Sequence, residues 1–229
     1  MNIASTMDSI SYRTASQLNT AMAGVYKHMG LAVLTSMIVS YLVAGNQAMM
    51  SLLFGTGLKW VVIFAPVVFA LLIGFTIHKV SKPAAFAMLH GFAALMGLSL
   101  ASIFAIYTSM SIFTAFMGAA VLFGTMSFYG YFTKKSLDSL GKWLFVGLIS
   151  IVIASIINVF VGSTVAQMTI SALAIIIFMG LTAYDTQRIR EELSINGGNN
   201  TEVSGALSLY LNFINLFTSL LQLFGNREE

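Results

Sequence analysis

The uncharged run SALAIIIFMG leads directly into LTAYDTQRIREE, so an aspartate, Asp185, stands at or near the end of an apolar helix. Two chemistries fit that placement. Asp185 could form an ordinary ion pair with Arg188, three residues on and on the same helical face. Alternatively, the carboxylate is kept among apolar residues because a proton or a cation must bind there. An acidic residue at a helix C-terminus opposes the macrodipole, and TQRIREELS contains no breaker, so the helix is expected to continue to about Ile195. The next apolar run, GALSLYLNFINLFTSLLQLFG, carries Ser208, Asn212, Asn215, Ser219 and Gln222. Spacings of four, three, four and three put these groups on one face. With a turn at Gly197–Gly198 and a new helix from about Thr201, Asp185 and Asn212 each lie about 18–21 Å from the turn. A carboxylate and an amide then meet at one level of an antiparallel pair. Such a polar stripe either bonds to a neighbouring helix or lines a watery path, and both readings stay open.

Other chemistries find little support. His90 lies seven residues past Pro83, about 10 Å along its helix, and Ser99 follows nine residues later, half a turn away on the opposite face. No later histidine is present to act as a base, so serine hydrolysis is not expected. No H-E-x-x-H occurs, and the chain has no cysteine for a thiolate metal site or a disulfide. A retinal Schiff base needs a lysine in the last helix, where residues 205–224 have none. His90 is read as a hydrogen-bonded packing residue that supports the site. The chain is not expected to be an enzyme.

The elements that position these residues are membrane spans. Of 229 residues, 58% are hydrophobic and 8% charged, against about a quarter charged in soluble domains. The mean hydropathy is +0.88. Runs of about 20 apolar residues, enough to cross a bilayer, fall at roughly 26–45, 60–78, 84–107, 111–132, 143–162, 166–186 and 205–224. The expected fold is an all-α bundle of seven transmembrane helices. It forms one domain over 25–229, after a polar N-terminal segment, 1–24, with no apolar core of a signal peptide. Gly91, Gly97, Gly118, Gly124 and Gly130 suggest close helix packing. The net charge of +3 comes from scattered basic residues and is no nucleic-acid signal.

The segments HGFAALMGLSLASIF, GLTAYDTQRIRE and ALSLYLNFINLF resemble the Bax inhibitor-1 family of membrane proteins, in its bacterial branch. The resemblance covers nearly the whole chain from about residue 20. It implies a seventh helix in the centre of the bundle, a bacterial inner (plasma) membrane location and a pH-influenced passive leak of calcium or another cation. The family pairs two intramembrane aspartates, one in each of the last two helices. Asp185 matches the first, and Asn212 stands where the second would be. The implied gate or ion site is therefore Asp185 with Asn212, supported by Arg188, Asn215 and His90. Its metal would be calcium, weakly held at Asp185, and no cofactor is implied beyond that. The resemblance also admits a non-conducting protein that modulates membrane-protein quality control through a membrane-bound protease.

Basic residues in the connections set the orientation. Arg13, Lys27, Lys79, Lys82, Lys134, Lys135, Lys142, Arg188 and Arg190 fall on one side, against Lys59 and Arg227 on the other. A reporter fused after Lys135 should read cytoplasmic, and one fused after residue 229 should read external. A cytoplasmic signal from the second fusion would mean that the last segment re-enters instead of crossing.

Overall fold

The computed structural model describes residues 13–195 and 200–227. Seven of its helices are long and apolar enough to cross a membrane. In chain order the helices are α1 (Ala15–Ala44), a short α2 (Gln47–Phe54), α3 (Leu58–Thr76), α4 (Lys82–Leu100), α5 (Ser109–Phe132), α6 (Asp138–Val161), α7 (Thr164–Ser194) and α8 (Thr201–Phe224). Single 3₁₀ turns extend α3 through Ile77–Lys79 and α4 through Ala101–Ala105. The expected turn at Gly197–Gly198 lies outside the described residues.

The first span starts well before residue 26. Thr14 and Gln17 form a reciprocal cap, the Gln17 amide N–H donating to Thr14 Oγ1 at 3.3 Å and the Thr14 N–H to Gln17 Oε1 at 2.9 Å. Such a capping box satisfies two orphan donors of the first turn. Leu18, Ala21, Met22 and Val25 then recur at helical spacing and are all buried. Residues 15–24 are thus the first turns of α1. The expected boundary between a polar segment and the bundle is displaced because its polar residues sit on the outer face of an amphipathic helix.

Contacts at the two ends show the chain alternating between them. At the first end the Arg13 N–H donates to the Ser194 carbonyl at 3.0 Å. Asn200 Nδ2 donates there to the carbonyls of Ile77 at 2.7 Å and Val80 at 2.9 Å. At the other end the Thr108 N–H reaches the Asn226 carbonyl at 3.1 Å, and Tyr107 and Arg227 form an isolated antiparallel bridge. The last helix is unbroken over its 24 residues and ends opposite the start of α1. It runs from one end of the bundle to the other without turning back.

α8 packs against α1, α4, α5 and α7. Of its apolar stretch 56% is buried, against 6% for α6, which lies at the periphery on α7. The outward faces of α3 and α6 carry exposed Phe64, Leu71, Phe75, Phe145, Ile153 and Phe160, as a lipid boundary requires. Gly162, at φ 69°, ends α6 in a left-handed conformation that a side chain would strain.

Lipid tails are as apolar as leucine, so spans associate by close packing and hydrogen bonds instead of by escape from water. Gly130 is the clearest case: a methyl group added there would lie 2.2 Å from the Ala183 carbonyl oxygen of α7. Gly97 is likewise pressed against the backbone of Ser36. Gly91 and Gly124 meet nothing within 4 Å, so the expectation of close packing holds for some of the five glycines and not for these two. Gly130→Ala should therefore force α5 away from α7 and cost about 1–3 kcal/mol. Gly124→Ala should be near neutral; thermal unfolding of the two purified variants checks the contrast.

Candidate functional site

α7 and α8 form the antiparallel pair that carries the polar residues. α7, with 31 residues, extends about 46 Å, longer than the ~30 Å hydrocarbon core of a bilayer. Asp185 lies nine residues before Ser194, about 14 Å from that end of α7, and Asn212 lies eleven residues after Thr201, about 17 Å into α8. The two side chains meet: Asn212 Nδ2 donates to Asp185 Oδ2 at 2.8 Å. Asp185 Oδ1 accepts from Arg188 Nη2 at 2.9 Å. The i+3 ion pair and the interhelical contact thus coexist, one on each carboxylate oxygen. The carboxylate only accepts, so Asn212 presents its NH₂ to Asp185.

Arg188 links further groups. Nη2 also reaches Ser208 Oγ of α8 at 3.4 Å, and Nη1 reaches Glu192 Oε1 at 3.4 Å. Asp185 is the better shielded partner, with 14% of its side chain exposed against 39% for Arg188. Beside the cluster is a cavity of about 600 Å³ between α6, α7 and α8, bordered by Asp185, Arg188, Ser208, Asn212 and Asn215.

The polar stripe of α8 bonds to neighbouring helices toward one end and borders the cavity in its middle. Gln222 Oε1 accepts from Gln167 Nε2 at 2.8 Å and from Ser171 Oγ at 3.0 Å. Asn158 of α6 donates to Gln167 Oε1 at 3.3 Å, so amides tie three helices together near the C-terminal end of α8. Asn215 satisfies its NH₂ on the Leu211 carbonyl of its own helix, at 2.8 Å, and its side chain borders the cavity.

His90 is not brought to this cluster. Its Nδ1 lies 2.9 Å from Thr35 Oγ1 of α1, and its ring lies 4.3 Å from that of Phe86. Ser99 turns the other way and bonds to the carbonyls of Val62 and Leu95.

Several residues that position the site carried no signal beyond their type. Gln187 takes the Leu137 N–H on Oε1 at 2.8 Å and donates from Nε2 to the Lys135 carbonyl at 2.9 Å, fixing the α5–α6 connection to α7. Thr186, next to Asp185, lies 3.1 Å from Ser127 of α5, whose hydroxyl lies 2.5 Å from that of Tyr26 in α1. Lys142, counted above for orientation alone, borders the cavity. TAYDTQR thus supplies Tyr184, Asp185 and Arg188 to the cavity, while Thr186 turns toward α5 and Gln187 toward the α5–α6 connection.

The fold and the site define a polytopic helical membrane protein whose last two spans are joined by a carboxylate–amide contact. The family profile described as "Inhibitor of apoptosis-promoting Bax1" matches residues 18–229. The chain belongs to this family, the Bax inhibitor-1 family. Inner membrane protein YbhL of Escherichia coli (strain K12) is 39% identical over 217 residues, which cover 92% of this chain and 93% of the relative. An uncharacterized protein of Caulobacter vibrioides is 37% identical over 226 residues, 93% of this chain and 90% of the relative. An uncharacterized membrane protein of Streptococcus pyogenes serotype M3 is 36% identical over 219 residues, 92% of this chain and 94% of the relative.

The register can be checked in this cysteine-free chain. Cysteines introduced together at Asp185 and Asn212 should crosslink with a short bifunctional reagent. Moving the second cysteine from 212 to Leu216, one turn or about 5.4 Å further along the axis, should lower the yield. Equal yields would mean that the two helices pair in another register.

Proposed function

We propose that this protein is a passive cation leak of a bacterial inner membrane, with its N-terminus in the cytoplasm and the Asp185–Arg188–Asn212 cluster as its gate. The observation that carries this reading is the 2.8 Å contact between Asn212 and Asp185, made beside a cavity at membrane depth. In the paired arrangement both carboxylate oxygens are engaged, one by Arg188 and one by Asn212. A cation reaching Asp185 must displace Arg188 or be kept out by it.

Calcium is the proposed cargo. Hard cations take several oxygen ligands, and Asp185, the Asn212 amide oxygen once turned, and backbone carbonyls offer a weak site suited to passage. The residues are assigned binding and gating roles, with no catalytic step. The inner-membrane location follows the name of the Escherichia coli relative and the distribution of basic residues.

Two close carboxylates cannot both ionise cheaply, so a pair shares a proton and can switch near neutral pH. A carboxylate facing an amide lacks that repulsion. Calcium flux into liposomes should therefore respond to pH less steeply around neutrality than in a two-aspartate relative, with any gating displaced toward acid. Asn212→Asp should move the response toward neutral pH, and Asp185→Asn should abolish it. A steep wild-type switch at neutral pH, unchanged by Asn212→Asp, would remove the pair as the sensor. Absence of flux from every variant would instead favour a non-conducting role in membrane-protein quality control, acting on a membrane-bound protease.

A further inference from the structure

The connection between α1 and α3 is itself helical and uncharged. No residue from Gly45 to Leu58 carries a charge, although soluble domains are about a quarter charged. Within it α2 starts at an Asn46 cap, whose Oδ1 accepts from the Met49 N–H at 3.1 Å. α2 packs against α1, α3 and the 3₁₀ turn Ala101–Ala105, yet none of its eight residues is fully buried.

At about 100° per residue, exposure divides the surface of α2 into three sectors. Met50, Leu53 and Phe54 are half-buried and define the side turned to the bundle. Ala48, Met49 and Leu52 form a second sector, apolar and exposed, with Met49 40% and Leu52 54% accessible. Gln47 and Ser51 form a third, polar and exposed, about 130° from the apolar one. In water alone, an outward methionine and leucine on one side would have no counterpart. A helix lying along a membrane surface needs this division, with one side toward the acyl chains and another toward water. The depth agrees. α3 begins at Leu58, and Lys59 Nζ lies 5.5 Å from the centre of the Trp60 ring, which stacks on Phe64. Tryptophan marks the headgroup level of a span, so α2 adjoins the level at which the lipid boundary of α3 begins.

We propose that α2 lies in the headgroup layer of the bilayer, with Ala48, Met49 and Leu52 against the acyl chains and Gln47 and Ser51 in water. Having no charge, this surface recognises the apolar upper part of the acyl layer and is indifferent to the charge of the headgroups. It holds the α1–α3 connection, and the 3₁₀ turn beside it, at one depth. The assignment is independent of whether cations pass through the protein.

Single cysteines in this cysteine-free chain test it. Q47C, M49C, S51C and L52C are each labelled with bimane, in nanodiscs holding one copy of the protein. F64C, on the exposed face of α3, calibrates full contact with acyl chains. Quenching by a phosphatidylcholine with a nitroxide high on its acyl chain should be about twofold stronger at M49C and L52C than at Q47C and S51C. Iodide in the buffer should give the reverse order. Exchanging phosphatidylcholine for phosphatidylglycerol should leave the lipid quenching unchanged. L52E should lower lipid quenching at M49C and raise quenching by iodide, whereas S51E should do neither. Equal quenching at all four positions, or the reverse order, would overturn the assignment. So would protection of M49C and L52C from both quenchers, as a covering protein surface would give. If L52E fails to fold, the comparison of the four cysteines decides.

Discussion

A charged group at membrane depth has to find its partners within the protein, because hydrocarbon supplies none. Asp185 finds them on two helices: Arg188 one turn along its own, and Asn212 on the neighbour. Losing either would leave a buried acceptor unsatisfied, which costs more than a typical hydrogen bond contributes. That requirement holds α7 and α8 in one register. Because α8 also packs against α1, α4 and α5, the register of one contact bears on how most of the bundle is stacked.

The residues differ in how far they could be read in advance. The level of Asp185 and Asn212 follows from a fixed rise per residue and a short connection, so it was accessible without knowing how the other helices are arranged. The spans were accessible because apolar length is set by bilayer thickness. The start of α1 was hidden: Thr14 and Gln17 cap it inside a stretch whose composition is polar, and Leu18, Ala21 and Met22 are too sparse to register as an apolar run. Lys142 and Gln187 gain their positions from the order in which helices surround α7. That order depends on tertiary packing, which a one-dimensional pattern does not contain. For the same reason His90, though an ionisable residue within a span, faces Thr35 and Phe86 and lies apart from the carboxylate.

The stripe on α8 shows why polar groups in a span need not share one purpose. At Gln222 the amides cross-link helices and resemble a buried network, each member satisfied by the next. At Asn215 the side chain turns back to its own carbonyl and contributes polarity to the cavity without holding any neighbour. A face that looks uniform as a spacing pattern therefore cross-links helices at one end and borders a cavity in the middle. The part bordering the cavity lies next to the charged cluster.

Thr186 limits the motions open to that cluster. Its hydroxyl is tied to Ser127 and through it to Tyr26, and the Ala183 backbone of the same helix is seated directly on Gly130. Turning α7 about its axis would break a hydroxyl chain spanning three helices and drive a backbone carbonyl into its neighbour. Torsions about the χ angles of Asp185 and Arg188 encounter neither obstacle. α7 is thus braced against rotation, whereas the side chains of the cluster can turn without moving its backbone. The anchoring of one threonine leaves side-chain torsion, and not rotation of α7, as the freedom open to the cluster.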